Sequence, residues 1–132
     1  ISEMKVIGLR FFTIYGKYGR PDMFIFKFLD SLINKKKFNL FNNGNHLRDY
    51  THIEDVVEMM DLLIRKKMNK RFEIFNICSN KPTSVNSLVN KWIKNSKSNI
   101  KIKHGKKKIV HHEKKNYWGS NKKLKSLIKK IK

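Results

Sequence analysis

Two arginines, Arg20 and Arg48, each stand beside a glycine-bearing turn. Their planar guanidinium forks suit them to read a phosphate or a carboxylate, because parallel N–H groups meet paired oxygens. The first belongs to Leu9-Arg10-Phe11-Phe12-Thr13-Ile14-Tyr15-Gly16-Lys17-Tyr18-Gly19-Arg20-Pro21-Asp22-Met23, an apolar run that opens into a loop with two glycines and a proline. Val6 to Phe12 predicts a buried strand, being apolar and β-favouring. Gly16 and Gly19 permit backbone angles that side chains forbid, and Pro21 stiffens the exit. A strand that runs out into such a loop is where an open α/β sheet places its ligand.

The elements that must position these residues follow from periodicity. Asp22 is expected to cap a helix to about Asn34, with Phe24, Phe28, Leu29 and Leu32 on its apolar face. Phe38 to Phe41 predicts a short strand, Asn42-Asn43-Gly44-Asn45 a turn, and Arg48 to His52 a second extended piece. The clearest helix runs from Glu54 to about Lys67, with Val56, Val57, Met60, Leu63 and Ile64 lining its core side and Asp55 as a structural cap. Phe72 to Cys78 predicts a strand, ended by Ser79-Asn80-Lys81-Pro82. Thr83 or Ser84 caps a third helix bearing Val85, Leu88, Val89, Trp92 and Ile93. Ile100 to Ile102 reads as an edge strand and Lys103 to Asn116 as loop. A last helix begins at Ser120 or Asn121, with Leu124, Leu127, Ile128 and Ile131 inward. No repeat is present, and no linker is long enough to divide two domains.

Composition bounds the function. The 132 residues suffice for a small domain or part of a larger one, and nine Phe with two Trp supply core bulk. The absence of an initiator Met reads as a piece of a longer protein. No apolar run approaches a membrane span and no signal peptide is visible. The single cysteine, Cys78, excludes a disulfide framework and points to a reducing compartment, the cytoplasm. A net charge of +21 invites a nucleic-acid reading. The excess is mostly lysine spread over loops and helix ends, a composition that AT-rich coding also produces, so nucleic acid is not the expected partner. His46, His52, His104, His111 and His112 lack the companions a metal site needs, and no metal is expected.

At this point the residues carry a resemblance. The loop LRFFTIYGKYGRPDM and the segment Asn43-Gly44-Asn45-His46-Leu47-Arg48-Asp49-Tyr50-Thr51-His52-Ile53-Glu54-Asp55-Val56-Val57 resemble two blocks of the extended short-chain dehydrogenase/reductases. The closer likeness is to NAD-dependent nucleotide-sugar epimerases acting on UDP-glucuronate or UDP-galacturonate. It is good over Val6 to Val57, fair to about Ile93 and poor beyond, where Val110-His111-His112-Glu113 replaces the family's ribose-side segment. The resemblance implies an α/β fold: the last strands of a Rossmann-type sheet plus a small α/β substrate-binding subdomain, residues 1–132 forming the C-terminal substrate-binding portion. It implies that Arg48 contacts the nucleotide phosphate and that Tyr50 lies near the substrate. Arg20 would meet the phosphate or a hexuronate carboxylate. Thr13 would donate to that carboxylate, in the place where galactose-type members carry Asn. Met23 and Phe24 would lie against the uracil, and Phe11 and Phe12 would border the nicotinamide of NAD, mainly through backbone.

Two parts of that chemistry have no counterpart here. No Gly-rich dinucleotide loop follows a first strand, and no tyrosine has lysine four residues on: Tyr15 is followed by Gly19, Tyr18 by Asp22, Tyr50 by Glu54 and Tyr117 by Asn121. The expectation is therefore the substrate-binding portion of a UDP-hexuronate 4-epimerase, acting through a 4-keto intermediate in polysaccharide biosynthesis. The chain alone would hold no catalytic residue, with an N-terminal NAD-binding part as partner and a homodimer when complete. The alternatives are a nucleotide-sugar dehydratase of the same superfamily, a small basic nucleic-acid-binding module, or an epimerase-like remnant with a structural role.

Overall fold

The computed structural model describes residues 4–105 and 116–129. In chain order the elements are strands β1 (Val6–Phe11) and β2 (Thr13–Tyr15), helix α1 (Phe24–Ile33), strands β3 (Phe38–Phe41) and β4 (Leu47–His52), helix α2 (Ile53–Arg65), strands β5 (Phe72–Ile77) and β6 (Pro82–Ser84), helix α3 (Val85–Ser96), strand β7 (Ile102–Gly105) and helix α4 (Lys122–Lys129). All registered strand pairs are parallel: β1 with β5, β2 with β4, and β3 with β7. The strands β2, β4 and β6 lie in that order.

The chain forms two compact units, one of Ile1–Lys17, Asp49–Pro82 and Trp118–Lys132, the other of Tyr18–Arg48 and Thr83–Tyr117. No long linker separates them, and two of the crossings fall inside β4 and β6. The first unit buries Val56, Leu63, Met68, Phe75, Ile77 and Leu124, with Ile7, Leu9 and Ile14 packed against them. The second buries Phe28, Leu40, Val85, Val89 and Ile100. Phe28 is the hub of that core: its ring lies edge-on to Phe38 at 5.1 Å and stacks on Trp92 at 5.7 Å.

Several expectations need correction. The expected strand through Phe12 is two strands, because the chain leaves the β1–β5 ladder at Phe12 and re-enters another at Thr13. Helix α1 has Met23, not Asp22, at its N-cap and no side-chain cap, since Asp22 is engaged by Arg20. Lys103 to Gly105, expected as loop, continue β7 against β3.

Helix α2 differs in its cap and in the edge of its apolar face. His52 is the N-cap, its Nδ1 accepting from the Glu54 N–H at 3.4 Å, while Asp55 sits exposed in the first turn, where the helix dipole favours it. Val56, Met60 and Leu63 share one stripe, whereas Val57 and Ile64 lie about 80–100° round the axis from Val56. Those two are exposed (57% and 76%), and Ile53 and Met59 complete the packed face instead.

The outer side of β5 is covered. Lys123 of α4 donates to the Ile74 carbonyl at 2.9 Å, pairs with Glu73 at 3.2 Å and lies 4.3 Å from the centre of the Phe75 ring. Asn76 donates to the Ser120 carbonyl at 3.0 Å. The other side of β1 carries no strand among the described residues. Ile131, His111, His112, Glu113 and most of the lysine-rich segment lie outside the described residues.

Candidate functional site

Each unit contributes its own group of predicted site residues. In the first, the switch at Phe12 sets the geometry. Phe11 is the last residue of β1, opposite Ile77, and its ring is 40% exposed. Phe12 turns its ring against Gly119, so closely that a Cβ there would lie 2.3 Å from Phe12 Cζ. Its side chain is packing, which leaves the backbone as what it can offer a ligand. One residue later Thr13 is registered beside Tyr50. Side chains opposite each other in a parallel pair share a face of the sheet. The half-buried Thr13 hydroxyl has no hydrogen-bond partner among the described residues, so it is available to a ligand.

On the opposite face of β4, alternation buries Asp49 and Thr51. Asp49 Oδ1 accepts from the Ser79 N–H at 2.9 Å and the Ser79 hydroxyl at 2.6 Å, and Oδ2 accepts from the Asn80 N–H at 2.9 Å. Thr51 Oγ1 accepts from the same Ser79 N–H at 3.0 Å. Asn80 has φ 59°, a sharp turn that two consecutive donors to one carboxylate hold in place. Next to it, burial pushes the Cys78 thiol pKa up, and the negative charge of Asp49 adds to the rise. Asn121, at the start of α4, donates to the Cys78 carbonyl at 2.7 Å.

In the second unit Arg20 and Asp22 form a two-bond pair, Nε to Oδ1 at 3.0 Å and Nη2 to Oδ2 at 2.5 Å. The pair is exposed, and each partner shifts the other: the hydrogen bond to Asp22 raises the Arg20 pKa, and that to Arg20 lowers the Asp22 pKa. Of the guanidinium's five N–H groups two are engaged, so Asp22 orients the fork and leaves one end for an anion. Met23 opens α1, its carbonyl accepting from the Lys27 N–H at 3.1 Å. Phe24 stacks on Phe28 at 6.0 Å and meets Phe38 edge-on at 5.9 Å, so its ring belongs to the core of this unit. Arg48 is half-buried, donates to the Leu47 carbonyl at 2.9 Å and bridges to Tyr117. Before it, Gly44 (φ 65°) lies against the start of α3, where a Cβ would be 2.7 Å from Asn86 N. A hollow of about 640 Å³ at the ends of α1 and α3, lined by Leu32, Lys35, Lys97 and Ser98 among others, contains none of the predicted site residues.

The donor set fits only the border of a dinucleotide. Phe11 and the Phe12 backbone end a strand at a loop, as such a border requires, but the glycine pair Gly16 and Gly19 belongs to the loop before α1 and not to a first-strand turn. Sequence reasoning missed Asp49 as an anchor and His52 as a cap. Alternation along Arg48–His52 already placed Asp49 away from Tyr50, and a charge on the buried side of a strand must find several donors. That was the available signal.

Comparison with known proteins bears on the same residues. Residues 2–78 match the NAD dependent epimerase/dehydratase family. The protein CapI of Staphylococcus aureus is 35% identical over 119 residues, covering 75% of this chain and 36% of that protein. A probable UDP-glucuronate 4-epimerase of Rhizobium meliloti is 49% identical over 58 residues, 44% of this chain and 17% of that one. Among solved structures, the UDP-glucuronic acid 4-epimerase of Bacillus cereus, in complex with UDP-glucuronic acid and NAD, matches with a TM-score of 0.82 at 27% identity over 92% of this chain and 38% of that chain. The chain thus spans about a third or less of the curated relatives it matches. Its parallel α/β build is that of the extended short-chain dehydrogenase/reductases. With more than half of its residues inside the matched stretch, this chain belongs to the NAD dependent epimerase/dehydratase family.

Proposed function

We propose that this chain is the C-terminal, substrate-binding portion of an NAD-dependent nucleotide-sugar 4-epimerase acting on UDP-hexuronates through a 4-keto sugar. The observation that carries the reading is a threonine hydroxyl at Thr13 that has no partner among the described residues and is registered beside Tyr50 on one sheet face. The relatives named as UDP-glucuronate 4-epimerases support the same substrate class. Thr13 donates to the C6 carboxylate, and Tyr50 lines the sugar beside it. The free end of the Arg20 fork takes a phosphate or a hexuronate carboxylate, and Arg48 takes the diphosphate. Met23 and the backbone at Phe24 back the uracil, while Phe11 and the Phe12 backbone edge the nicotinamide. The hydride exchange at C4 is the chemistry that NAD supplies when bound. The dinucleotide loop and the Tyr-x-x-x-Lys base belong to an N-terminal part outside this chain, and the complete enzyme is a cytoplasmic homodimer serving polysaccharide synthesis.

The test is turnover by the complete enzyme, followed by proton NMR of the sugar anomers. UDP-glucuronate is expected to equilibrate with UDP-galacturonate, and Thr13→Asn to lower the preference for the carboxylated over the neutral sugar by about tenfold, the worth of one charge-assisted hydrogen bond. An unchanged preference removes Thr13 from carboxylate recognition. Absence of any 4-epimerisation overturns the reading.

A further inference from the structure

Asp49 is used by none of the binding roles above, yet it is fully buried and its carboxylate accepts from the Ser79 N–H, the Ser79 hydroxyl and the Asn80 N–H. Its position in the topology is particular. Strands β1 and β2 are consecutive and joined only through Phe12. Strand β1 pairs with β5, and β2 pairs with β4. Asp49 on β4 reaches Ser79 and Asn80, which follow directly on the end of β5 and Cys78. The carboxylate therefore closes a circuit: β1 to β2 through Phe12, β2 to β4 by the ladder, β4 to the exit of β5 through Asp49, and β5 back to β1 by the second ladder.

We infer that Asp49 is a positioning residue for the reaction: by pinning β4 to the turn after β5 it fixes the Thr13–Tyr50 pair relative to Phe11 and Phe12. Without it the link from β4 to the exit of β5 is left to the single Thr51–Ser79 bond and to β6 further along the chain, and the looser turn lets the sugar-side pair tilt about Phe12 away from the nicotinamide-side pair. This inference rests on the functional reading given above for what those pairs hold. A displacement of about 1 Å between reacting groups lowers the rate by about a hundredfold without removing a binding contact. The expected signature is therefore a loss in kcat at nearly constant KM.

Two readouts test it in the complete enzyme. Asp49→Asn keeps the size but replaces an acceptor facing the Asn80 N–H with a donor, and Ser79→Ala removes one donor while leaving the carboxylate its backbone partners. Amide hydrogen exchange at Ser79 and Asn80 is expected to speed up by about tenfold or more in Asp49→Asn, with kcat falling at least about tenfold and KM changing less than about threefold. Ser79→Ala should move both in the same direction by less, and it decides the matter if Asp49→Asn does not fold. Unchanged exchange, or a lowered melting temperature with kcat per folded molecule intact, overturns the inference. Failure of the functional reading looks different: the unmutated enzyme would then turn over no nucleotide sugar, while exchange at Ser79 and Asn80 still reports whether Asp49 pins the turn.

Discussion

Asp22 holds the guanidinium of Arg20 by two parallel bonds, at 3.0 and 2.5 Å, two residues away along the loop that leads into α1. A carboxylate that already occupies one edge of the fork makes the arginine a directed donor. It also makes the pair pH-sensitive in a defined sense. The Arg20 hydrogen bond lowers the Asp22 pKa, so the pair is complete above the ordinary value of 3.8 and is lost as pH falls through the lowered folded value. Carbon-detected NMR titration should place the Asp22 carboxyl midpoint below 3.8, and Arg20→Ala should return it toward that value. A midpoint that does not move on mutation means the pair does not persist in solution.

Gly44 is expected to tolerate no side chain. It has φ 65°, and an added Cβ would sit 2.7 Å from Asn86 N, a backbone atom that cannot rotate away. Gly44→Ala should cost about 2 kcal/mol or more, combining a left-handed backbone with a clash. Urea denaturation of the intact protein measures it, and a cost under about 0.5 kcal/mol means the start of α3 shifts freely.

The opposite substitution should help at two helix ends. Lys35 and Lys97 sit just past the ends of α1 and α3 with φ 53° and 51°. Each is in the left-handed position that glycine occupies without a Cβ penalty. Lys35→Gly and Lys97→Gly should each stabilise by about 0.5–1 kcal/mol. Thermal melts of the single variants should rise, and a fall at either position would show that its lysine side chain contributes more than the strain costs.

Cys78 should react slowly. Burial first, and Asp49 second, raise its pKa above the ordinary thiol value of 9.0, so less thiolate is present at any given pH. The proton is held longer in the folded state, so this contribution to stability is present below the unfolded thiol pKa and is lost as pH rises through the folded one. Iodoacetamide labelling at pH 8 should lag a free-cysteine peptide by about tenfold or more, and urea should abolish the lag. Rapid labelling of folded protein would mean that the Ser79–Asn80 turn opens readily.

The helices and strands were legible wherever a periodic apolar face is deep enough. Phe28, Val56, Leu63, Val89 and Leu124 are all buried, as the stripes that contain them required. The margins were not legible. Val57 and Val56 have the same chemistry and are neighbours in sequence, and only the rotation of α2 about its axis decides which is covered. The break at Phe12 is invisible to propensity, because both flanking segments favour strand and the Phe12 ring packs at Gly119, far away in sequence. For the candidate site, residue types and turn chemistry singled out the arginines, but did not reveal that one is preoccupied by Asp22 or that a buried carboxylate locks the turn after β5. Those depend on distances across the fold.

Lys123 and Asn76 have a consequence for how this sheet can grow. Lys123 takes up the Ile74 carbonyl and Asn76 ties β5 to the Ser120 carbonyl before α4, and both contacts stand in the way of a further strand there, much as an exposed lysine deters unwanted pairing. Among the described residues the flank of the ladder past β1 carries no strand, and Val6 and Phe11 there are 41% and 40% exposed. An unpaired parallel edge of this kind is a template for another strand, so a strand laid along β1 would extend the sheet on that side.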